Sequence, residues 1–331
     1  MIAQAIQMGR PPMVISLGDP GGVGPEVVLN ALLQYPVSRP IILVGPFSLR
    51  WHPLLIHGFN QLNPKRISQQ DGLTHPISWI DPTPTIFNEP FLPEPHSING
   101  LVSYEAVIMG LKIAVLRKGV LVTAPVCKEA WKKAGVAYID HTSLLGGWFN
   151  TNPTMAFNSP VLKICLATVH VPLSQVACHI SKESITRCLQ HAIGWMGQLG
   201  ILYPRIAVAG LNPHAGEGGL LGTEEQDVIQ PAIHEVQQSH SNAKIVGPIP
   251  ADTLFYRAYQ GDFDVVIALY HDQGLSPLKM VAFDQAVNIT LGIPIMRVSP
   301  DHGTAFDVAY QSKSRCESMR AAIEYGDRYG G

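Results

Sequence analysis

Short apolar runs that each stop at a turn residue recur along this chain, and they constrain it more than any other feature. Residues 13–17, 41–45, 119–126, 163–169, 206–211, 244–249, 264–269 and 295–298 are rich in β-branched side chains and short for helices. Such runs read as buried strands. Helical stretches separate several of them. Residues 25–34 open on a proline in the first turn, residues 101–119 place Tyr104, Val107, Ile108, Leu111 and Val115 on one face, and residues 184–199 form a third helix. A fourth starts near Thr223, where Thr223-Glu224-Glu225-Gln226 has the capping-box pattern. This alternation predicts an α/β protein with largely parallel sheets. A proline-rich, irregular stretch from about 51 to 95 interrupts it, and no internal repeat is present.

What stands at the strand ends points to chemistry, because open α/β sheets bind ligands at the carboxyl ends of their strands. Run 264–269 leads into Tyr270-His271-Asp272-Gln273-Gly274, run 163–169 into His170, and run 206–211 into Asn212-Pro213-His214-Ala215-Gly216. A single histidine in such a place is more often structural. Three at the ends of three strands are the donor set of a catalytic divalent-metal site if they converge, with one position left open for substrate. Their spacing matches no zinc finger, so convergence rests on strand-end placement.

Composition narrows the alternatives. With 46% hydrophobic and 15% charged residues the 331-residue chain is globular, and its length suits two domains. A net charge of −2 without a basic stripe argues against a nucleic-acid partner. No apolar run reads as a membrane span, the first twelve residues read as a short tail, and a cytoplasmic location is expected. Five cysteines, Cys127, Cys165, Cys178, Cys188 and Cys316, form no CxxC pair and fit reduced thiols. Cys165 reads as a small buried hydrophobe. Cys127 at a strand end is a weak nucleophile candidate.

Two glycine-bearing loops are candidates for holding anions. Gly18-Asp19-Pro20-Gly21-Gly22-Val23-Gly24-Pro25-Glu26 joins the first strand to the first helix, where amides and a helix start favour phosphate. It is neither a Walker A loop nor a GxGxxG fingerprint, and a tight turn explains its glycines equally well. The second, Asp301-His302-Gly303-Thr304-Ala305-Phe306-Asp307, follows the last strand.

These two motifs, with Gly210-Leu211-Asn212-Pro213-His214-Ala215-Gly216-Glu217, Pro250-Ala251-Asp252-Thr253 and His271-Asp272-Gln273-Gly274 between them, form an ordered series. The series closely resembles the 4-hydroxythreonine-4-phosphate dehydrogenases of vitamin B6 biosynthesis over nearly the whole chain. The first and last motifs also look like those of isocitrate and isopropylmalate dehydrogenases. The resemblance implies a two-domain α/β subunit of that fold rather than a Rossmann fold. It further implies a homodimer with the active site at its interface, and NAD or NADP as cofactor. The expected domains are 1–127 with 295–331 on the cofactor side, and 128–294 for metal, substrate and dimerisation, with the active site in the cleft between them.

Residue by residue, the resemblance places a zinc, magnesium or cobalt ion on His170, His214 and His271, the last reaching the partner's site. It places the substrate on His141, Thr142, Lys279, Asn288 and Arg297. Asp140 stands where many members have glycine, and Gly21 and Val23 replace the usual alanine and isoleucine. Gly18, Asp19, His302, Gly303, Thr304 and Asp307 fall on the cofactor side. The implied reaction is oxidation of 4-phosphooxy-L-threonine to a β-keto acid that loses CO2, with Asp252 and His271 as catalytic candidates. Asp252 reads equally well as a cap for a helix from Leu254. Asp307 reads as a cap for a following helix or as an acceptor for the adenosine. No Arg or Lys lies between Ser299 and Gln311 to receive a 2′-phosphate, which favours NAD. The alternatives are a relative acting on a four-carbon sugar-acid phosphate or a dihydrodiol, a phosphate acyltransferase, and a binding module.

Overall fold

The computed structural model describes residues 9–83 and 91–331. The start of the expected N-terminal tail and part of the proline-rich stretch lie outside the described residues. The chain divides into two compact units, Met1–Thr151 with Ile293–Gly331, and Asn152–Gly292.

The first unit is built in chain order from β1 (Met13–Ser16), α1 (Gly24–Gln34), β2 (Ile41–Val44), α2 (Ile56–Leu62), β3 (Lys65–Arg66), β4 (Ile77–Ile80), α3 (Ser97–Leu116), β5 (Val120–Thr123), α4 (Lys128–Lys133) and α5 (His141–Phe149). In the second unit follow β6 (Thr154–Asn158), β7 (Lys163–Leu166), α6 (Val176–His179), α7 (Lys182–Gln198), β8 (Arg205–Ala209), α8 (Gln230–Ser239), β9 (Lys244–Ile249), α9 (Ala251–Tyr259), β10 (Val265–Ala268), α10 (His271–Ala282) and β11 (Val287–Leu291). The chain then returns to the first unit through β12 (Arg297–Pro300) and α11 (Glu317–Tyr329).

Strands of the first unit lie in the order β3-β4-β2-β1-β5-β12, all parallel. Their residues are buried on both faces in β1, β2, β4, β5 and β12, as parallel sheets require. α3 packs on β1, β2 and β5 on one side and on α4 on the other. Its buried residues therefore run round the helix and not along the single stripe expected of 101–119. By length and apolar composition α3 also meets the measure of a membrane span, contrary to the expectation, but it is the core helix of this unit. β4 lies within the stretch expected to be irregular. It was missed because Pro76 and Pro82 crowd a run of only four residues.

The first junction falls after Thr151 and not after residue 127, because α4 packs on α3. His141 and Thr142 consequently belong to the first unit. The second junction lies at Gly292.

The second unit orders its strands β11-β6-β7-β10-β8-β9. β7, β10, β8 and β9 are parallel, while β6 runs antiparallel to both β7 and β11. The largely parallel, α/β reading thus holds in both units, with β6 as the exception. α7 is capped by a reciprocal Ser181–Ser184 box. The capping box expected at Thr223 is absent. A π-turn, Glu225–Ile229, feeds α8 there.

Candidate active site

β7 and β10 are parallel neighbours, and their pairing continues past both strands: Ala167 N donates to Ala268 O at 2.9 Å and Thr168 N to Leu269 O at 3.2 Å. The segments that follow emerge side by side. His170 and His271 end with their ring centroids 5.8 Å apart. His271 is the first residue of α10, so the strand-end turn expected there is already helix.

His214 lies beyond β8 in a turn of left-handed residues. His214 (φ 52°), Ala215 (φ 53°) and Glu217 (φ 43°) adopt it with Gly216 (φ 82°) and Gly218 (φ 66°). Left-handed backbone costs an L-residue roughly 1–2 kcal/mol, so surrounding contacts must hold this turn.

Two of the three imidazoles have a carboxylate behind them. His214 Nδ1 lies 2.9 Å from Glu217 Oε2, and His271 Nδ1 lies 2.9 Å from Asp272 Oδ1. A carboxylate on Nδ1 fixes the tautomer and leaves Nε2 as the ligating atom, the second-shell pattern of metal-binding histidines. This donor set fits a divalent metal. Among the described residues of one chain, no three His, Cys, Asp or Glu side chains are grouped for a single ion. The structure brings together His170 and His271 of the same chain, without His214.

Polar contacts of another kind mark the first unit. Arg297 opens β12 and is 3% exposed. Its Nε and Nη2 donate to Thr123 Oγ1, at the end of β5, at 3.2 and 2.6 Å. Burial lowers the guanidinium to about 10, against the opposing charge of Asp140. Asp140 caps α5: its Oδ1 accepts from Ser143 N at 2.8 Å while Ser143 Oγ accepts from Asp140 N at 3.2 Å. The cap sets His141 and Thr142 in the first turn of α5. His141 stands edge-on to Trp131, ring centroids 5.5 Å apart, and its Nε2 is sealed from solvent without a hydrogen-bond partner among the described residues. Burial and the charge of Arg297 push this imidazole well below its ordinary range, so it is neutral near pH 7. Lys279 and Asn288 belong to the second unit. Lys279 Nζ lies 5.8 Å from the Phe283 ring centre, and Asn288 is buried in β11 opposite Phe157.

The two glycine-bearing loops differ from each other. Gly18 to Glu26 are buried throughout, and their amides serve the protein: Asp19 N donates to Pro125 O, Gly21 N to Asp19 Oδ1, Gly22 N to Asp19 O and Val23 N to Thr304 O. The Asp19 carboxylate takes the place in which an anion was expected, so the structure does not show this loop as an open anion cradle. Burial raises Asp19 to about 7, against the Gly21 amide and the Asn99 side chain. The 301–307 loop is open by contrast. Gly303 and Asp307 are exposed, and a Cβ on Gly303 would meet nothing within 4 Å, which leaves room for a ligand against the backbone. Thr304 binds the first loop through its carbonyl, and His302 Nδ1 lies 3.0 Å from Gly303 O. Asp307 caps no helix: a turn follows it and α11 begins only at Glu317.

Asp252 is likewise not the cap of α9. Pro250 holds that position, and Asp252, exposed in the first turn, accepts from Thr253 N at 3.0 Å through Oδ1. With Tyr270, Asp272, Gln273, Ser276 and Met280 it lines a cavity of about 690 Å³ within the second unit. Cys165 is fully buried, and the Cys127 Sγ accepts from Ala130 N at 3.4 Å at the start of α4, a capping role and not that of a nucleophile.

Two buried polar residues near the histidines stand in motifs quoted above, but the backbone groups they bond were not legible in sequence. Gln273 accepts from Leu269 N and donates to Gly210 O, both at 2.7 Å, tying the end of β10 to that of β8. Glu225 receives the amides that precede His214. The signal for Gln273 was its place two residues after His271. For Glu225 it was an acidic pair after a glycine-rich turn, which resembled a helix cap.

Fold and site together define an α/β protein whose strand ends present carboxylate-backed imidazoles. The chain belongs to the pyridoxal phosphate biosynthetic protein PdxA family, whose family model matches residues 63–326. It is 39% identical over 326 residues to the 4-hydroxythreonine-4-phosphate dehydrogenase of Desulfosudis oleivorans, covering 95% of each chain. It is 32% identical over 323 residues to the D-threonate 4-phosphate dehydrogenase of Pectobacterium atrosepticum, covering 94% of this chain and 97% of that one. The crystal structure of 4-hydroxythreonine-4-phosphate dehydrogenase from Klebsiella pneumoniae matches it with a TM-score of 0.81 at 31% identity, over 98% of this chain and 99% of that chain.

Proposed function

We propose that this protein is a nicotinamide-dependent dehydrogenase acting on 4-phosphooxy-L-threonine. Oxidation of the secondary alcohol gives 2-amino-3-oxo-4-phosphooxybutanoate, which loses CO2 to form 3-amino-2-oxopropyl phosphate on the way to pyridoxine 5′-phosphate. Family membership supports the reaction class. The observation that carries the site is the carboxylate placed 2.9 Å behind Nδ1 of both His214 and His271. His170, His214 and His271 would hold a zinc, cobalt or magnesium ion, which would supply Lewis acidity for oxidation of the alcohol.

The remaining work falls to the chain's own groups. Arg297 offers a planar fork to the phosphate and Lys279 a point charge. Neutral His141, with Thr142 and Asn288, orients the substrate without adding charge. Asp252 assists removal of the hydroxyl proton as hydride leaves for the nicotinamide. Asp307 and the open backbone at Gly303 receive the adenosine end, in an arrangement that favours NAD over NADP.

A second copy of the chain completes the enzyme. α10 begins at His271 and exposes Met280 (82%) and, just beyond its end, Phe283 (64%), beside Tyr256 on α9 (67%). A partner covering these apolar side chains lies against the helix that carries His271.

The test is reduction of NAD and of NADP by purified protein with 4-phosphooxy-L-threonine and with D-threonate 4-phosphate. Turnover of the first at the higher kcat/KM is expected. A preference for the second assigns the protein to the activity named for its Pectobacterium relative and overturns the proposed substrate. Dialysis against a chelator should abolish turnover, and zinc, cobalt or magnesium should restore it. Undiminished activity after metal removal excludes the metal role.

A further inference from the structure

The backbone leading into the turn that carries His214 is gathered by a buried side chain that belongs to no metal or substrate role assigned above, while Glu224 Oε2 shares Asn212 Nδ2 with it at 2.7 Å. Glu225, 2% exposed, stands in the π-turn ahead of α8. Its Oε1 accepts from both Leu211 N and Asn212 N at 2.8 Å, and its Oε2 accepts from Asn212 Nδ2 at 3.0 Å. Asn212 in turn receives Ala215 N on its carbonyl at 3.0 Å, the first internal bond of the left-handed turn. On the other side Gly216 makes room for the carboxylate. A Cβ there would lie 2.8 Å from Glu225 Oε2 and 2.9 Å from Gly222 O, at a φ of +82°. One carboxylate thus gathers both amides before the turn and packs against its middle. π-turns and left-handed non-glycine residues both concentrate where function imposes a conformation.

We infer that Glu225 is the positioning residue for His214, holding its imidazole where it meets the ion. This rests on the reading of His214 as a ligand. Glu225 touches neither metal nor substrate and acts through the 211–216 backbone. Outer-shell groups of this sort are worth 10–100-fold in metal affinity.

The experiment uses the full-length protein and measures two quantities separately. Hydrogen exchange reports on the amides of 211–219 in metal-free protein, and titration with cobalt, followed by its visible absorption, reports affinity. Glu225→Gln keeps an oxygen for the two amides but sets an NH2 against Asn212 Nδ2. Gly216→Ala leaves Glu225 in the sequence but sets a methyl against its carboxylate and against Gly222 O, on a left-handed backbone that alanine strains. Both variants are expected to speed exchange across 211–219 by at least about tenfold, to weaken cobalt binding by about 10–100-fold and to alter its spectrum. Exchange in β10 should stay unchanged. Unaltered exchange of the turn in both variants overturns the inference, whatever the metal does. Faster exchange with unchanged cobalt affinity overturns it too, provided His214→Ala weakens cobalt binding. If His214→Ala binds cobalt like the wild type, the ligand assignment fails, and the positioning role falls with it.

Discussion

Asp19 shows how one side chain changes the meaning of a motif. Its loop reads in sequence as a cradle for an anion, yet its own carboxylate takes the Gly21 amide and backbone carbonyls take those of Asp19, Gly22 and Val23. The carboxyl is held at about 7 in the folded chain against 3.8 in a model peptide. The folded state therefore binds this proton more tightly than the unfolded state. Its contribution to stability is complete below about pH 4 and is lost as pH rises toward 7. Asp19→Asn keeps an acceptor for Gly21 N and cannot ionise. We expect the variant to gain stability over the wild type between pH 4 and pH 8, by an amount on the order of a few kcal/mol. Urea midpoints measured across that range decide the matter, and parallel curves for the two proteins exclude it. Glu225 teaches the same lesson: it is an ordinary acid in sequence, and only the fold reveals which amides it serves. The placement of His170, His214 and His271 beyond β7, β8 and β10 was legible because each follows an apolar run that ends at a turn residue.

Among the elements, β1, β2, β5, β7, β8, β9, β10 and β12 were all legible, because buried parallel strands are apolar on both faces and end at turn residues. β4 was lost among prolines, and β6 and β11 passed unread because their runs carry polar residues such as Thr154, Asn158, Asn288 and Thr290. α11 went unread although Met319, Ala322, Ile323 and Gly326 give it a buried stripe, because Glu317, Arg320, Glu324, Asp327 and Arg328 fill much of the rest of its run. A buried ion pair adds to that packing: Arg39 Nε donates to Asp327 Oδ1 at 3.1 Å, and its Nη2 donates to Asp327 O at 2.8 Å and Gly330 O at 2.6 Å, with the Arg39 side chain fully buried. Asp327 also accepts from Ser38 N and Ser38 Oγ, both at 2.9 Å, and Arg10 Nη1 lies 3.8 Å from its Oδ1, so losing Arg39 leaves the carboxylate hydrogen-bonded but without its buried cation. Arg39→Ala should cost about 3 kcal/mol, the low end for breaking a buried pair, and Arg39→Met, which refills the volume, should cost less. Pairing the latter with Asp327→Leu removes the acceptor of Ser38 N as well and should cost more than Arg39→Met alone. Thermal denaturation of the three variants measures this, and a loss below about 1 kcal/mol for Arg39→Ala rejects the anchoring role.

At the scale of the whole molecule, the proposed assembly has each chain lend His271 to the metal site of a second copy. Mixing inactive His170→Ala protein with inactive His271→Ala protein tests that assembly. If His271 serves the partner, a mixed dimer has one site with both changes and one with neither, and free exchange should restore roughly a quarter of wild-type activity. Recovery of nothing after prolonged exchange shows that each chain uses its own His271, as the 5.8 Å spacing to its own His170 would allow. The route of the chain also bears on how the protein is made. Unit 2 is one continuous stretch, Asn152–Gly292, whereas unit 1 receives β12 beside β5, and α11 beside α1, only from residues that follow unit 2. During synthesis the inserted unit is thus the first able to close its core. Until β12 arrives, β5 waits with an apolar strand edge exposed, so a pause in translation after residue 292 endangers the first unit.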